Sequence, residues 1–177
     1  MGKVNRDAEF ERVMRLVVEP VRRYLVRRTD EATAEDVTSE TLLVLWRRLD
    51  QVPDDVVPWA IGVARLQLAN SERSARRQRR LFARIAAVDP PQAVRDHAED
   101  DAGYIREAID NLRAADAEVV RLWAWDDLDL AQIAQVLSIS VNAATIRLHR
   151  ARKRLREEIG KNVDNDGHVA VKEGEER

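Results

Sequence analysis

Apolar residues in the first half of this chain recur at three- and four-residue steps. Phe10, Val13, Met14, Val17, Val21 and Leu25 keep that spacing, which gathers them on one face of a helix. The charge-rich segment RRTDEAT ends it. Thr33, followed three residues later by Asp36, has the form of a capping box opening a second helix. That helix runs to about Leu49, with Val37, Thr41, Leu45 and Leu49 on its buried stripe. QVPDD reads as a turn. Asp55 and Pro58 suit the first turn of a third helix. It carries Trp59, Val63, Leu66 and Asn70 and runs into an arginine-rich block. Ala, Leu, Val and Arg dominate the 177 residues, with 6 Gly and 5 Pro, a composition that favours helix and is poor in strand and turn signals. Aromatic residues make up 5%, so any core is thin and mostly aliphatic.

From Val88 to Gly103 the pattern lapses: a Pro-Pro pair, scattered acids and no clear period mark a linker. Apolar spacing resumes at Ile105, Ile109 and Leu112, then Val119, Val120, Leu122 and Trp123, followed by two short helices with a tight turn between them. The polar, Gly-containing end, KNVDNDGHVAVKEGEER, reads as disordered. The expected fold is all-α: two small helical domains joined by a flexible linker, the C-terminal one a helix-turn-helix. The expected boundaries are 1–84 for the first domain, 85–103 for the linker, 104–160 for the second domain and 161–177 for the tail.

The formal net charge of −2 conceals two cationic blocks. One holds Arg65, Arg73, Arg76, Arg77, Arg79, Arg80 and Arg84 against the single acid Glu72. The other holds Arg147, Arg150, Arg152, Lys153, Arg154 and Arg156 with no acid. Asp89, Asp96, Glu99, Asp100 and Asp101 lie between them. Where charge is clustered decides where a polyanion docks. The chain has no cysteine, which excludes disulfides, Cys-based zinc sites and thiol nucleophiles. The three histidines are widely separated, and Asp126, Asp127 and Asp129 have no His partner, so they read as a loop and a helix cap rather than a metal site. Neither a Gly-rich phosphate loop nor HExxH occurs. We expect no enzyme activity, cofactor, metal or small-molecule substrate. No apolar run reaches membrane-spanning length, and MGKVNRDAEFERV lacks a signal-peptide core; the chain reads as soluble and cytoplasmic.

The strongest local signal is DLAQIAQVLSISVNAATIRLHRARKRLREEI. Asp129 can cap the first helix, with Gln132 at the reciprocal capping-box position. Ile133 and Leu137 face inward, and Ala134 is small where helices cross closely. Ser138 sits at the turn, where positive φ favours Gly but Ser is tolerated with some strain. Ile139 faces the core, and Ser140 is a natural N-cap. Val141, Ala144, Leu148, Ala151, Leu155 and Ile159 form the inward stripe of the second helix. Asn142, Thr145, Ile146, His149 and Arg150 lie opposite, a face suited to a major groove. Arg150 reads as either a base-edge or a phosphate contact; Arg147, Arg152, Lys153, Arg154 and Arg156 read as phosphate contacts.

Three segments, AEDVTSETLLVLWRRLD, PWAIGVARLQLANSERSARRQRR and the helix-turn-helix above, occur in the order and spacing of conserved regions of RNA polymerase sigma factors. The resemblance extends to about Ile159, and the absence of the first and third domains points to the extracytoplasmic-function subfamily. It implies a factor that binds core RNA polymerase, recognises promoter DNA and starts transcription. It implies that Glu35, Asp36, Glu40, Trp46 and Arg47 dock on the polymerase; this chain has Ser39 where the family often has Gln, and Leu42 and Leu43 near the usual Phe. It implies that Arg65, Asn70, Arg73, Arg76 and Arg77 hold the melted strand, with the loop from Leu49 to Val57 shaping a pocket for a flipped base. Trp59 reads as a core aromatic rather than a stacking platform.

In the recognition helix the resemblance places base and phosphate contacts on Thr145, Ile146, His149 and Arg150, with Ser140, Asn142, Arg147 and Lys153 completing the duplex-DNA set. Thr145 stands where many relatives have Arg or Lys. Members of the subfamily are often held by an anti-sigma factor, a further candidate partner. Two other functions fit parts of the pattern. A helix-turn-helix regulator would bind duplex DNA without polymerase, and a helical adaptor or sigma mimic would bind no nucleic acid. The acidic docking helix argues against the first and the two arginine blocks against the second.

Overall fold

The computed structural model describes residues 3–85 and 101–169, with side chains placed for residues 6–80 and 105–158. Among these residues every regular element is a helix. They are α1 (Lys3–Val26), α2 (Glu31–Arg47), a 3-10 turn (Leu49–Gln51), α3 (Val56–Ile85), α4 (Asp101–Asp110), α5 (Ala114–Ala124), α6 (Leu130–Leu137) and α7 (Val141–Val169). Cα proximity groups α1, α2 and α3 with residues 131–139 in one compact unit, and α4, α5 and α7 in a second.

In the first unit α1, α2 and α3 pack on one another. α1 contributes Val13, Val17, Val21, Tyr24 and Leu25, and α2 contributes Ala34, Val37, Thr41 and Leu45. Thr41 is polar yet fully buried, because its hydroxyl donates to the Val37 carbonyl at 2.7 Å, which satisfies its own donor within the core. The expected stripe of Val37, Thr41, Leu45 and Leu49 is buried in full. Arg28 closes α1, donating to the Tyr24 carbonyl at 2.9 Å with its guanidinium 3.7 Å from the Tyr24 ring centre. A cation there also meets the negative end of the helix dipole.

α2 starts earlier than the expected capping box at Thr33 and Asp36. Its N-cap is Asp30, whose carboxylate accepts from the Thr33 backbone N–H at 2.9 Å and from the Thr33 hydroxyl at 2.8 Å. Thr33 is thus the capped residue and not the cap, because a carboxylate at the positive end of a helix outcompetes a hydroxyl one turn later. On α3 the inward side is Val56, Pro58, Ala60, Ile61, Ala64 and Leu68. Trp59 and Val63 are half-buried, Asn70 is exposed, and Leu66 is 57% exposed.

The segment 131–139 groups with α3 and not with the rest of the expected 104–160 domain. The Gln132 side-chain amide donates to the Asp55 carboxylate at 3.0 Å. A Cβ at position 62 would stand 3.5 Å from the Val136 carbonyl oxygen, in ordinary van der Waals contact, so the backbone around Val136 lies close to α3 at Gly62. The helix ends at Ser138, the turn residue, which adopts φ 53°. The Ile139 N–H returns to the Ala134 carbonyl at 3.0 Å and the Ser138 N–H to the Gln135 carbonyl at 3.2 Å, the paired bonds of a Schellman ending. Val136 is buried where Leu137 was expected, and Leu137 and Ile139 are half-buried.

In the second unit Ile109 and Leu112 join Val119, Val120 and Leu122 of α5 and Ala144, Leu148 and Ala151 of α7 in the core. Asp127, at φ 55°, turns the chain out of α5 so that the Leu128 N–H reaches the Leu122 carbonyl at 3.1 Å. α4 begins at Asp101, inside the expected linker, and the other linker residues from 86 to 100 lie outside the described residues. α7 continues to Val169, beyond the tail boundary expected at 161. No proline interrupts that stretch, and extending an existing helix costs little compared with starting one. Residues 170–177 lie outside the described residues.

Ser138→Gly removes a Cβ from a left-handed residue, and after the entropy cost of Gly the net gain is about 0.5 kcal/mol; the urea midpoint should rise with an unchanged slope. The Thr33 backbone N–H, and then its hydroxyl, hold the Asp30 carboxyl below its ordinary pKa. That stabilisation is complete above the unfolded-state pKa and is lost as pH falls through the lower folded value. Asp30→Asn keeps the cap without the titration, so its Tm should decline less steeply on the acid side. An unchanged acid limb would show that this carboxylate does not titrate with folding.

Candidate polymerase and nucleic-acid interfaces

The inward stripe of α2 leaves its opposite side free. Asp36, Glu40, Leu43 and Arg47 follow one another at steps of four, three and four, so they form one outward row, and all are exposed. Glu35 and Ser39 flank the row and are also exposed. Leu43 is 54% exposed and stands between the Glu40 carboxylate and the Arg47 guanidinium. A leucine held in water between charges is the kind of side chain that a partner buries. The sequence showed Leu43 only as one of several leucines; its isolation on the charged side becomes visible once Val37, Thr41 and Leu45 are seen to face inward. Trp46 is placed differently. It is half-buried, with Phe10 meeting its ring edge-to-face at 5.1 Å and the Arg6 guanidinium 5.2 Å from its centre.

The arginine block of α3 projects into solvent beyond the core. Asn70, Arg73, Arg76 and Arg77 are exposed and Arg65 is half-buried. Several of these side chains rest on their own helix. Arg73 donates to the Asn70 side-chain oxygen at 2.7 Å and to the Ala69 carbonyl at 3.1 Å. Arg76 pairs with Glu72 at 3.4 Å. Trp59, Val63, Leu66, Asn70, Arg73 and Arg77 fall at steps of four, three, four, three and four, a single outward row that is apolar upstream and cationic downstream. Leu66 adds an exposed apolar side chain beside Asn70, able to pack against an apolar part of a ligand, while the arginines offer counter-charge for a phosphate.

α7 opens at Ser140, whose hydroxyl oxygen accepts from the Ala143 N–H at 3.1 Å, the expected N-cap. Ala144, Leu148 and Ala151 are buried. Asn142, Thr145, Ile146, His149, Arg150 and Lys153 are exposed on the other side, with Arg147 half-buried. The Thr145 hydroxyl donates back to the Val141 carbonyl at 2.9 Å. Val141, expected on the inward stripe, is 49% exposed, since it stands in the first turn, before the helix meets α5. Leu155 is half-buried, and the side chain of Ile159 lies outside the described residues.

Two cations expected to hold phosphate are tied to α5. Arg154 pairs with the buried carboxylate of Asp116 at 3.7 Å, and the Arg152 guanidinium lies 4.9 Å from the Trp123 ring centre. Arg147, Arg150, Lys153 and Arg156 remain as the cations without such a tie to α5. Among the described residues no cluster of His, Cys, Asp and Glu could hold a metal ion, and no helix is long and apolar enough to cross a membrane.

Residues 102–155 match the family model for sigma-70, region 4. The ECF RNA polymerase sigma factor SigL of Mycobacterium tuberculosis is 34% identical over 140 residues, covering 76% of this chain and 79% of that protein. Among solved structures, the sigma factor RpoE in complex with the anti-sigma factor NepR, from Bartonella quintana, shares the fold with a TM-score of 0.59 at 21% identity. The match covers 85% of this chain and 96% of that one. CnrH in complex with the cytosolic domain of CnrY gives a TM-score of 0.53 at 21% identity, covering 86% and 88%. On the identity and coverage shared with SigL, the chain belongs to the extracytoplasmic-function sigma factors of RNA polymerase.

Proposed function

We propose that the three outward rows divide the work of transcription initiation. The row Asp36, Glu40, Leu43 and Arg47, flanked by Glu35, docks on core RNA polymerase. Its charges steer and orient the encounter, and Leu43 supplies the apolar anchor. Asn70, Arg73, Arg76 and Arg77, with Arg65 and Leu66, hold the melted promoter strand, and the connection 49–57 shapes the pocket for a flipped base. Asn142, Thr145, Ile146, His149 and Arg150 read duplex promoter, while Ser140 caps the helix and Arg147 and Lys153 meet phosphates. Trp46 belongs to the docking helix and acts by fixing it against α1 through the Phe10 ring.

On this reading residues 1–84 act as the polymerase-binding and melting module, 104–160 as the duplex-binding module, 85–103 as their connector and 161–177 as a tail without its own role. The chain has no catalytic step of its own and works in the cytoplasm, where polymerase and promoter are. An anti-sigma factor belongs among its partners; RpoE, which shares the fold, is seen bound to one. The observation that carries the reading is the outward Asp36–Arg47 row: charges alone suit solvation, but a half-exposed leucine between Glu40 and Arg47 suits a protein partner.

The test is transcription by sigma-free core polymerase supplemented with this chain. Promoter-specific starts are expected, with weak duplex binding by the chain alone. Strong duplex binding without starts would mark a stand-alone regulator, and neither activity would mark an adaptor. Reversing Asp36 and Glu40 to lysine, or changing Leu43→Ser, should weaken core affinity by about tenfold or more with Tm unchanged. Wild-type affinity in both would remove this row from the interface. Lys153→Ala should weaken binding to all promoters alike and reduce the salt slope by about one. A changed order of promoter preference would instead assign Lys153 to base reading.

A further inference from the structure

Arg6 makes contacts that none of the three rows explains. It lies near the start of α1, yet its guanidinium reaches the far end of α2. One terminal nitrogen donates to the Trp46 carbonyl at 2.8 Å and the other to the Asp50 carboxylate at 3.1 Å. The guanidinium carbon lies 5.2 Å from the Trp46 ring centre, and Phe10, one turn further along α1, meets the same ring edge-to-face.

The Trp46 carbonyl is in the last turn of α2, where carbonyls have no partner within the helix. The Arg48 N–H turns back to Val44 and Leu45, and Arg6 takes Trp46. A guanidinium at this end also meets the negative pole of the helix. Asp50 lies in the 3-10 turn that opens the connection to α3. One side chain from a different helix therefore ties together a helix end, an aromatic ring and a loop carboxylate.

The ion pair itself adds little stability, because the Asp50 side chain is 60% exposed and such pairs are screened by water. A planar guanidinium with two fixed acceptors contributes geometry instead. It sets where the chain leaves α2 and enters the connection.

We propose that Arg6 is a positioning residue for promoter reading, holding the connection 49–57 in its base-receiving conformation through Asp50 and the Trp46 carbonyl. This rests on the assignment of that connection to a flipped base. Arg6 need not touch DNA, and it lies apart from the row assigned to polymerase.

The test loads core polymerase with the full chain and transcribes a promoter library whose minus-ten segment is randomised, with sequencing of the transcripts. Arg6→Ala should flatten base preference at one position of that segment by about fivefold, with core affinity unchanged. A merely structural role would lower output from all promoters alike. Arg6→Lys, which keeps the charge but not both bonds, should restore part of the preference. In an Asp50→Ala background, Arg6→Ala should add only the smaller part of its loss at that position, because the bond to the Trp46 carbonyl alone is left to remove.

An unchanged preference profile in Arg6→Ala overturns the proposal, as does a full additional loss in the double variant. If Arg6→Ala does not fold, Arg6→Met, which keeps the aliphatic stem but makes neither bond, decides by the same profile. A wild-type chain that starts no transcripts from any library member would instead overturn the promoter-reading assignment, and the role of Arg6 with it.

Discussion

Ala60 and Ala64 are fully buried on α3, and the first unit is built around their smallness. With few aromatic side chains to fill space, helices of this chain gain burial by close approach. Val17, Val21 and Leu25 from α1 and Val37, Thr41 and Leu45 from α2 make up the facing sides. A larger residue at position 60 or 64 would push α3 away and open gaps around all of them. The same constraint sets the outer surface. Once the alanine edge faces inward, Leu66, Asn70, Arg73 and Arg77 have no side left but the outward one.

On α2 the logic repeats with different chemistry. A narrow inward stripe, in which even Thr41 is satisfied by its own helix, leaves an outward row that is acidic, then apolar, then basic. Like charges at Asp36 and Glu40 cost the isolated helix a little, and Leu43, left largely in water by folding, contributes little to stability. Neither feature improves the free protein. Both are compensated only if a partner brings positive charge and apolar surface to the same row.

Helix locations and the turn chemistry were largely legible from residues alone. The Val37–Leu49 stripe was unambiguous because large aliphatics mark one side and acids the other. Ser138 was recognisable because the residues around it demanded a left-handed turn whatever its side chain. The inner side of α3 was not legible for a physical reason: Trp59, Val63 and Leu66 are larger than Ala60 and Ala64, so hydrophobic spacing marks the outer row more strongly than the inner one. The cap of α2 slipped because Asp30 and Thr33 both have capping chemistry, and only the hydrogen bonds show which accepts. The Arg6–Trp46–Asp50 tie was invisible, since it joins residues 40 and 44 positions apart and no local pattern records it.

The cationic blocks are less available than their composition suggests. Arg73 and Arg76 rest on Asn70 and Glu72, Lys153 lies 4.0 Å from Glu157, and Arg152 and Arg154 are held by α5. A phosphate must displace some of these partners, so each contact yields less than a free cation would. On the proposed function, cations occupied in this way make each module's own grip on DNA modest. Weakness here is an advantage. Two modest sites carried by one polymerase act at high effective concentration, so promoter affinity arises only in the assembled enzyme. A stronger basic surface on either module would let the free factor occupy promoters without a polymerase to use them.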